Sequence, residues 1–418
     1  MKPRILILID HYLPGFKSGG PVRSVSKIVE KLASDYDFYI LTRNRDYTES
    51  EPYAGIAAES WVLKNAAKVF YAERVTLSLV RRVLNEINPD VVYANSYFSR
   101  FVLRYLALRR VGLVSRTTPV VLAPRGEFSL GALRIKRLRK SVFIAFAEAV
   151  RLYSDLIWHA SAELEAQDIR RILPRSDIHV ARIMVASDFP SVSLDTVSQQ
   201  QGTPKKKGEA WFVFLSRISP KKNLAFALKL LRNIRGKAKF TIFGPIDDAA
   251  YWAQCQKIIQ SLPTNVAVEY GGSIPHDAVL RTFSSHQFML FPTAGENFGH
   301  VILEAFLGGC PVLLSDQTPW RDLANDGAGW DIPLANVERW RSVVQECVDM
   351  DGAMYEALRN RTRAYGVAQA GSPRFEQENR QLFEYAVARS PRRAGKVLSG
   401  QLLCTVNEVE EEEESGLK

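Results

Sequence analysis

Short, almost wholly apolar runs alternate with amphipathic helical stretches along most of this chain, and the alternation occurs twice. The first half carries RILILI from Arg4, DFYILT from Asp37, VVYAN from Val91 and TPVVLA from Thr118. The second carries WFVFL from Trp211, KFTIF from Lys239, VAVEY from Val266, FMLF from Phe288 and CPVLLS from Cys310. A strand apolar on both faces belongs inside a parallel sheet covered by helices on both sides, and the stretches between these runs supply the helices. VRSVSKIVEKLAS, for example, places Val22, Val25, Ile28, Val29 and Leu32 on one helical face. The expected class is α/β, with two Rossmann-like doubly wound parallel-sheet domains facing each other across a seam.

The length of 418 residues, against ~100–200 per domain, agrees with two domains. The polar, aperiodic segment SVSLDTVSQQQGTPKKKGE places the join within Pro190–Glu209. The expected division is 1–195 for the first domain and 205–375 for the second. A helix over 376–390 is expected to return to the first domain, and the acidic tail 391–418, with Glu410 to Glu414, reads as disordered.

No apolar run approaches the ~18 residues of a spanning helix, and the run from Ile5 to Ile9 meets Asp10 too soon for a signal-peptide core. The expectation is a cytoplasmic protein. Cys255, Cys310, Cys347 and Cys404 have no CxxC spacing, and the histidines form no HExxH pair, so no disulfide framework or metal site is expected. The net charge of +10 suits anionic partners. Ten Lys/Arg against Glu127 alone crowd Arg104–Lys140, where LGALRIKRLRKSVFIAF mixes basic and apolar residues at helical spacing. That composition fits an anionic membrane surface, with a solvated basic face as the alternative.

Ligands of doubly wound sheets bind beyond the carboxyl ends of the strands. Four such loops carry suggestive residues. Lys17-Ser18-Gly19-Gly20-Pro21 is neither GxGxxG nor a P-loop, but its two glycines allow backbone to approach an oxyanion, a plain turn being the alternative. After WFVFL, Arg217 offers a planar fork and Lys222 a point charge for a diphosphate, a merely solvated basic loop being the alternative. After FMLFPT, Glu296 and Glu304 lie eight residues apart. Fully helical spacing would separate them by about 12 Å, beyond the ~5–9.5 Å of a hydrolytic carboxylate pair. They suit two ends of one extended polar ligand, a structural cap or salt-bridge partner being the alternative for Glu304, and the N–H groups of Asn297 to His300 suit an oxyanion. Arg125 and Glu127, after TPVVLA, would meet a substrate at the seam or form an internal ion pair.

Taken in order, these residues resemble the retaining glycosyltransferases of the GT-B fold, family 4. GENFGHVILEAFLGGCPVL resembles the family's E-x7-E signature, FLSRISPKKNL its Arg-x4-Lys phosphate motif and FKSGGP its glycine loop. GGSIPHDAVL resembles its nucleotide-side loop, and APRGEFSLGAL a block of its polysaccharide-building members. The resemblance covers about residues 1–385. It implies a nucleotide-sugar donor held mainly by the second domain, with Glu296 on sugar hydroxyls and Glu304 on the ribose. Arg217 and Lys222 would neutralise the leaving diphosphate without a metal. Gly19, Gly20, Ile274, Asn297, Phe298 and Gly299 would complete the donor site, and Arg125 and Glu127 are the acceptor-side candidates. Many members carry histidine where this chain has Arg125, and again where it has Asn95 and Ser96. The implied activity is sugar transfer to a glycan or lipid-linked acceptor in surface or exopolysaccharide synthesis, with no cofactor and no nucleic acid. A basic nucleic-acid-binding protein and a sugar-nucleotide epimerase are the alternatives.

Overall fold

The computed structural model describes residues 1–134, 137–172, 182–190 and 202–393. The first domain runs β1 (Arg4–Leu8), α1 (Gly20–Leu32), β2 (Asp37–Arg43), β3 (Trp61–Lys64), β4 (Ala67–Ala72), α2 (Leu77–Ile87) and β5 (Val91–Asn95). It continues through α3 (Arg100–Arg110), β6 (Val120–Ala123), α4 (Leu130–Arg134), α5 (Arg137–Ala149), β7 (Ile157–Ala160), α6 (Glu163–Ile172) and β8 (Arg182–Val185). The second domain opens with β9 (Glu209–Leu215), a 3₁₀ turn (Pro220–Lys222), α7 (Leu224–Leu230), β10 (Lys237–Phe243), α8 (Ala249–Gln260) and β11 (Val266–Tyr270). Then come α9 (Val279–Ser284), β12 (Phe288–Phe291), α10 (His300–Leu307), β13 (Val312–Ser315), β14 (Gly329–Ile332), α11 (Val337–Asp349), α12 (Gly352–Ala370) and α13 (Arg374–Ala388).

The two sheets are ordered β3-β4-β2-β1-β5-β6-β7-β8 and β11-β10-β9-β12-β13-β14. Every pairing is parallel except β3 with β4. That antiparallel hairpin is a departure from the all-parallel expectation. Asn65, at φ 53°, makes the tight turn, and the short WVLK strand, none of it buried, lies at the sheet edge. Each sheet has one point where strand order reverses: between β1 and β5 in the first, and between β9 and β12 in the second. The loops leaving these four strands are the natural ligand-binding loops.

α1 begins two residues earlier than its apolar pattern, because Pro21 fits the first turn, where its missing N–H is not needed. One apolar cluster continues from the β1–β2–β4 layer into the second domain. α13 joins the two: Phe383 packs on Tyr36, Phe38 and Tyr93, and Phe375 lies 5.8 Å from Phe298 of the second domain. Asn379 Nδ2 donates to Ser187 O at 2.8 Å and Arg380 pairs with Asp35, so the helix is anchored on the first domain.

Within LGALRIKRLRKSVFIAF the described residues are helical as α4 and α5, and Ile135 and Lys136 between them lie outside the described residues. On α5, Leu138, Val142 and Phe146 recur every four residues with 82%, 70% and 60% exposure. The acidic tail from 394 onward, and 191–201 of the expected linker, also lie outside the described residues.

Candidate active site

The two switch-point loops of the second domain meet because β9 and β12 are neighbours. Ala294 N donates to Lys221 O at 2.8 Å and Thr293 Oγ1 to the same oxygen at 3.3 Å, stitching the 3₁₀ turn to the β12 loop. Asn223, left-handed at φ 60°, ends that turn and donates Nδ2 to Pro292 O at 3.0 Å. Lys222 thereby reaches Glu296, and Nζ and Oε1 form an ion pair with side chains only 13% and 12% exposed. Arg217 is more open, at 42%, and Asp247 stands 3.7 Å from its Nη1.

Lys221 points toward the first domain. A Cβ on Gly131 would stand 3.6 Å from its Cγ, and a Cβ on Gly295 3.5 Å from its Cε. Burial, and then the neighbouring Lys222 charge, lower its pKa to about 8.

Glu304 is 1% exposed on α10. A carboxylate so deep in apolar surroundings requires partners. Arg23 Nη1 of α1 donates to its Oε1 at 3.0 Å, and His276 Nδ1 lies 3.7 Å from the same oxygen. Arg23 comes three residues after Gly20, and His276 two residues after the half-buried Ile274. The glycine loop, the nucleotide-side loop and the E-x7-E helix therefore converge on one carboxylate. Gly19 adopts φ 77°, and a Cβ at Gly19 or Gly20 would meet nothing within 4 Å, so the backbone there borders open space.

Further contacts close the cleft from the first domain. Glu165 Oε1 accepts from Gly126 N at 2.6 Å and from Asn297 Nδ2 at 2.9 Å, while its Oε2 accepts from Ser161 N and Oγ at 2.8 and 2.7 Å. Gly126, at φ 75°, lies against the Asn297 side chain with no room for a Cβ. His300 Nε2 stands 3.5 Å from Ser24 Oγ and 3.9 Å from Asp188 Oδ2, and burial lowers the pKa of His300 despite that carboxylate. Gly299, left-handed at φ 76°, starts α10.

Arg217, Lys222, Glu296, Asn297, Gly299 and Glu304 thus gather on the second-domain wall of one cleft, with Gly19 and Gly20 opposite. Phe298 does not present its side chain there. Its ring is 5% exposed, packed on His300, Trp320 and Phe375. The acceptor-side expectation for Arg125 and Glu127 gives way to the internal ion-pair reading, and with a different partner. Arg125 Nη1 donates to Asp188 at 2.7 Å, Nη2 to Tyr93 Oη at 2.7 Å and Nε to Asn95 Oδ1 at 3.0 Å. The buried guanidinium and Asp188 hold each other charged: Arg125 is raised and Asp188 lowered against their desolvation. Glu127 turns the other way and accepts from Ser96 Oγ at 2.7 Å and Tyr97 N at 2.6 Å, with burial raising its pKa to about 7. Both side chains are thus tied into the first domain, Arg125 as a buried charge paired with Asp188 and Glu127 through neutral donors.

Sequence reasoning missed Arg23, Glu165, Asp188 and His276. Each acts across a long chain separation (281 residues for Arg23 to Glu304) that no local spacing records. Arg23 alone had a signal, as a cation one turn into the helix that follows the glycine loop.

Two facing doubly wound domains with ligand loops at both switch points define the GT-B architecture, and the solved structures agree. Sucrose-phosphate synthase from Thermosynechococcus elongatus superposes with a TM-score of 0.67 at 15% identity, over 92% of this chain and 98% of that one. Anabaena Alr3699/HepE, in complex with UDP and glucose, gives 0.61 at 15% identity, over 92% and 99%. Residues 195–365 match the family described as glycosyl transferases group 1. The alpha-1,3/1,6-mannosyltransferase alg-2 of Neurospora crassa is 24% identical over 220 residues, 46% of each chain. The match therefore spans about half the length of that curated relative.

Proposed function

We propose that this protein is a retaining hexosyltransferase that moves a sugar from a nucleotide-sugar donor to a glycan or lipid-linked acceptor. The observation that carries the reading is the Lys222–Glu296 pair on the same cleft wall as Glu304, which faces the glycine loop through Arg23. Breaking the sugar–phosphate bond develops negative charge on the diphosphate and positive charge at the anomeric carbon. Lys222 and Arg217 stabilise the first, and the gain is larger in the transition state than in bound donor. Glu296 fixes the sugar hydroxyls and Glu304 exchanges Arg23 for the ribose. Attack on the same face, with the leaving phosphate taking the acceptor's proton, retains configuration and uses no protein base. The diphosphate charge is met by side chains, so no metal is assigned. The closed cleft keeps water from the oxocarbenium-like centre.

The complex of HepE with UDP and glucose makes uridine diphosphate the first nucleotide to try. In a thermal-shift panel of nucleoside diphosphates, one at ~100 times its Kd should stabilise the protein by about 2.7 kcal/mol. Arg217→Ala should abolish that shift, and a donor screen should release the same nucleotide. No nucleotide response, together with salt-sensitive binding of duplex DNA, would overturn the reading.

Among the described residues, no helix is long and apolar enough to cross a membrane. We place the protein peripherally on an anionic bilayer through α5, where the exposed Leu138, Val142 and Phe146 are flanked by exposed Arg137 and Arg139. Co-sedimentation with phosphatidylglycerol vesicles should be lost in Leu138→Glu/Phe146→Glu. Equal sedimentation of that variant would remove α5 as the contact.

A further inference from the structure

A second cationic concavity lies in the first domain, on the same edge of the sheet as the glycine loop. It has a volume of about 410 Å³ and is lined by Arg43, Arg45, Arg74 and Arg100, with Glu73 and Val75. Its origin follows from topology. Arg43 ends β2, Arg74 follows β4, and Arg100 begins α3 after β5. These are carboxyl ends of parallel strands. The loop after β1 ties them together: Asp10 O accepts from Arg43 N at 3.3 Å, and Asp10 Oδ1 accepts from Ser99 Oγ at 3.0 Å. The glycine loop is fixed to the same region, since Phe16 N and Lys17 N donate to Asp46 at 2.9 and 3.1 Å.

Four guanidiniums facing one carboxylate repel each other, and a concave wall concentrates their field. Some arginines of this domain are paired with carboxylates, as Arg82 is with Glu59, Arg125 with Asp188 and Arg170 with Glu163, and others donate to backbone carbonyls, as Arg109, Arg110 and Arg116 do. Among the described residues, no carboxylate pairs with Arg43, Arg74 or Arg100. Arg45 spends its donors on Asn44 Oδ1 and Ser50 O, and so remains uncompensated in charge. Arg43 Nε is buried with no hydrogen-bond partner. A donor left unmet inside a cluster of unpaired cations calls for an anion of several oxygens. A phosphoryl group supplies them in the forked geometry guanidinium prefers.

We propose that this concavity binds a phosphoryl or diphosphoryl group carried by the acceptor. The assignment to the acceptor rests on the transferase reading, because the donor's diphosphate already has Arg217 and Lys222 on the other domain. The site itself rests on the arginine cluster alone. It names an acceptor class: a glycan or lipid that reaches the enzyme bearing phosphate.

Calorimetric titration with inorganic pyrophosphate at low salt tests it. The wild-type protein should bind two equivalents. Arg217→Ala/Lys222→Ala should remove one and Arg74→Ala/Arg100→Ala the other, weakening it more than tenfold. Arg74 and Arg100 are exposed, so an unchanged melting temperature confirms that the fold is intact, and Arg74→Lys/Arg100→Lys should restore part of the affinity. If the donor-site pair changes nothing while the Arg74/Arg100 pair still abolishes binding, the transferase reading fails and this site stands. If the Arg74/Arg100 variant binds pyrophosphate as the wild type does, the site is overturned. A short prenyl diphosphate in phosphatidylcholine vesicles separates the sources. Recruitment that depends on Arg74 and Arg100 identifies a lipid diphosphate, whereas binding of free pyrophosphate alone identifies a soluble phosphorylated acceptor.

Discussion

Each domain holds a cation–carboxylate pair near the carboxyl edge of its sheet, Arg125–Asp188 in the first and Lys222–Glu296 in the second, and both are largely out of water. Their surroundings separate them. All three nitrogen positions of Arg125 are committed, to Asn95, Asp188 and Tyr93 Oη, and Tyr93 is in turn tied to His159 at 2.8 Å. Lys222 has Glu296 as its salt-bridge partner, beside a second lysine whose charge is disfavoured and an arginine that is 42% exposed. Burial alone therefore does not distinguish a structural ion pair from a working one. A structural pair is saturated, whereas a working pair lies in uncompensated charge that a ligand would relieve.

The largest expected effects come from exchanging the two roles. In the proposed reaction Lys222→Ala removes a donor to the leaving diphosphate and should lower kcat by about 10²–10³; Lys221 stays in the field of Glu296, so the loss of stability should be smaller than in Arg125→Ala. Arg125→Ala leaves Asp188 buried and unpaired and should cost about 3–5 kcal/mol. Arg125→Met/Asp188→Leu should recover most of that stability. If Arg125→Ala instead melts normally and loses activity, the distinction between the pairs fails. Asp188, with its lowered pKa, contributes stability above the ordinary carboxylate range that is lost as pH falls through its folded value.

An intermediate effect is expected at Glu304. Hydrogen bonds to charged groups are worth about 1.5–3 kcal/mol. Glu304→Ala should therefore raise donor KM about 10- to 100-fold and leave kcat nearly unchanged, because the ribose lies away from the breaking bond. Equal losses in kcat and kcat/KM would place Glu304 at the reacting centre instead.

Much of this was legible in the chain because strands buried on both faces are written as apolar runs, and because strand-end loops collect ligand chemistry. The places of Arg217, Lys222 and Glu296 in strand-end loops, and of Glu304 on the helix that follows, were readable for that reason. The β3–β4 hairpin was not, since four residues of WVLK carry little pattern and its turn depends on Asn65 accepting a left-handed backbone. Phe298 was misjudged because a motif position does not reveal whether the ring or only the backbone faces the ligand. Arg125 was ambiguous for a deeper reason. Its partner Asp188 lies 63 residues away, and only the β6–β7–β8 order of the sheet brings them together.

The smallest effect concerns Lys221, which belongs to neither pair. Its folded pKa of about 8 lies below the ~10.4 of a free lysine. The charged form is thus disfavoured in the empty enzyme, and stability should rise as pH increases from about 8 toward the unfolded value. A bound diphosphate reverses the preference by supplying negative charge, so donor binding near pH 8 should take up a proton. Donor KM should then climb several-fold as pH rises through about 8, and calorimetry in buffers of different ionisation enthalpy should register the uptake. Lys221→Met should remove both effects, whereas Lys221→Arg should keep the low KM across the range. A wild-type KM that stays flat through pH 9 would mean that Lys221 lies outside the field of the bound donor, and would confine the working charge to Lys222 and Arg217.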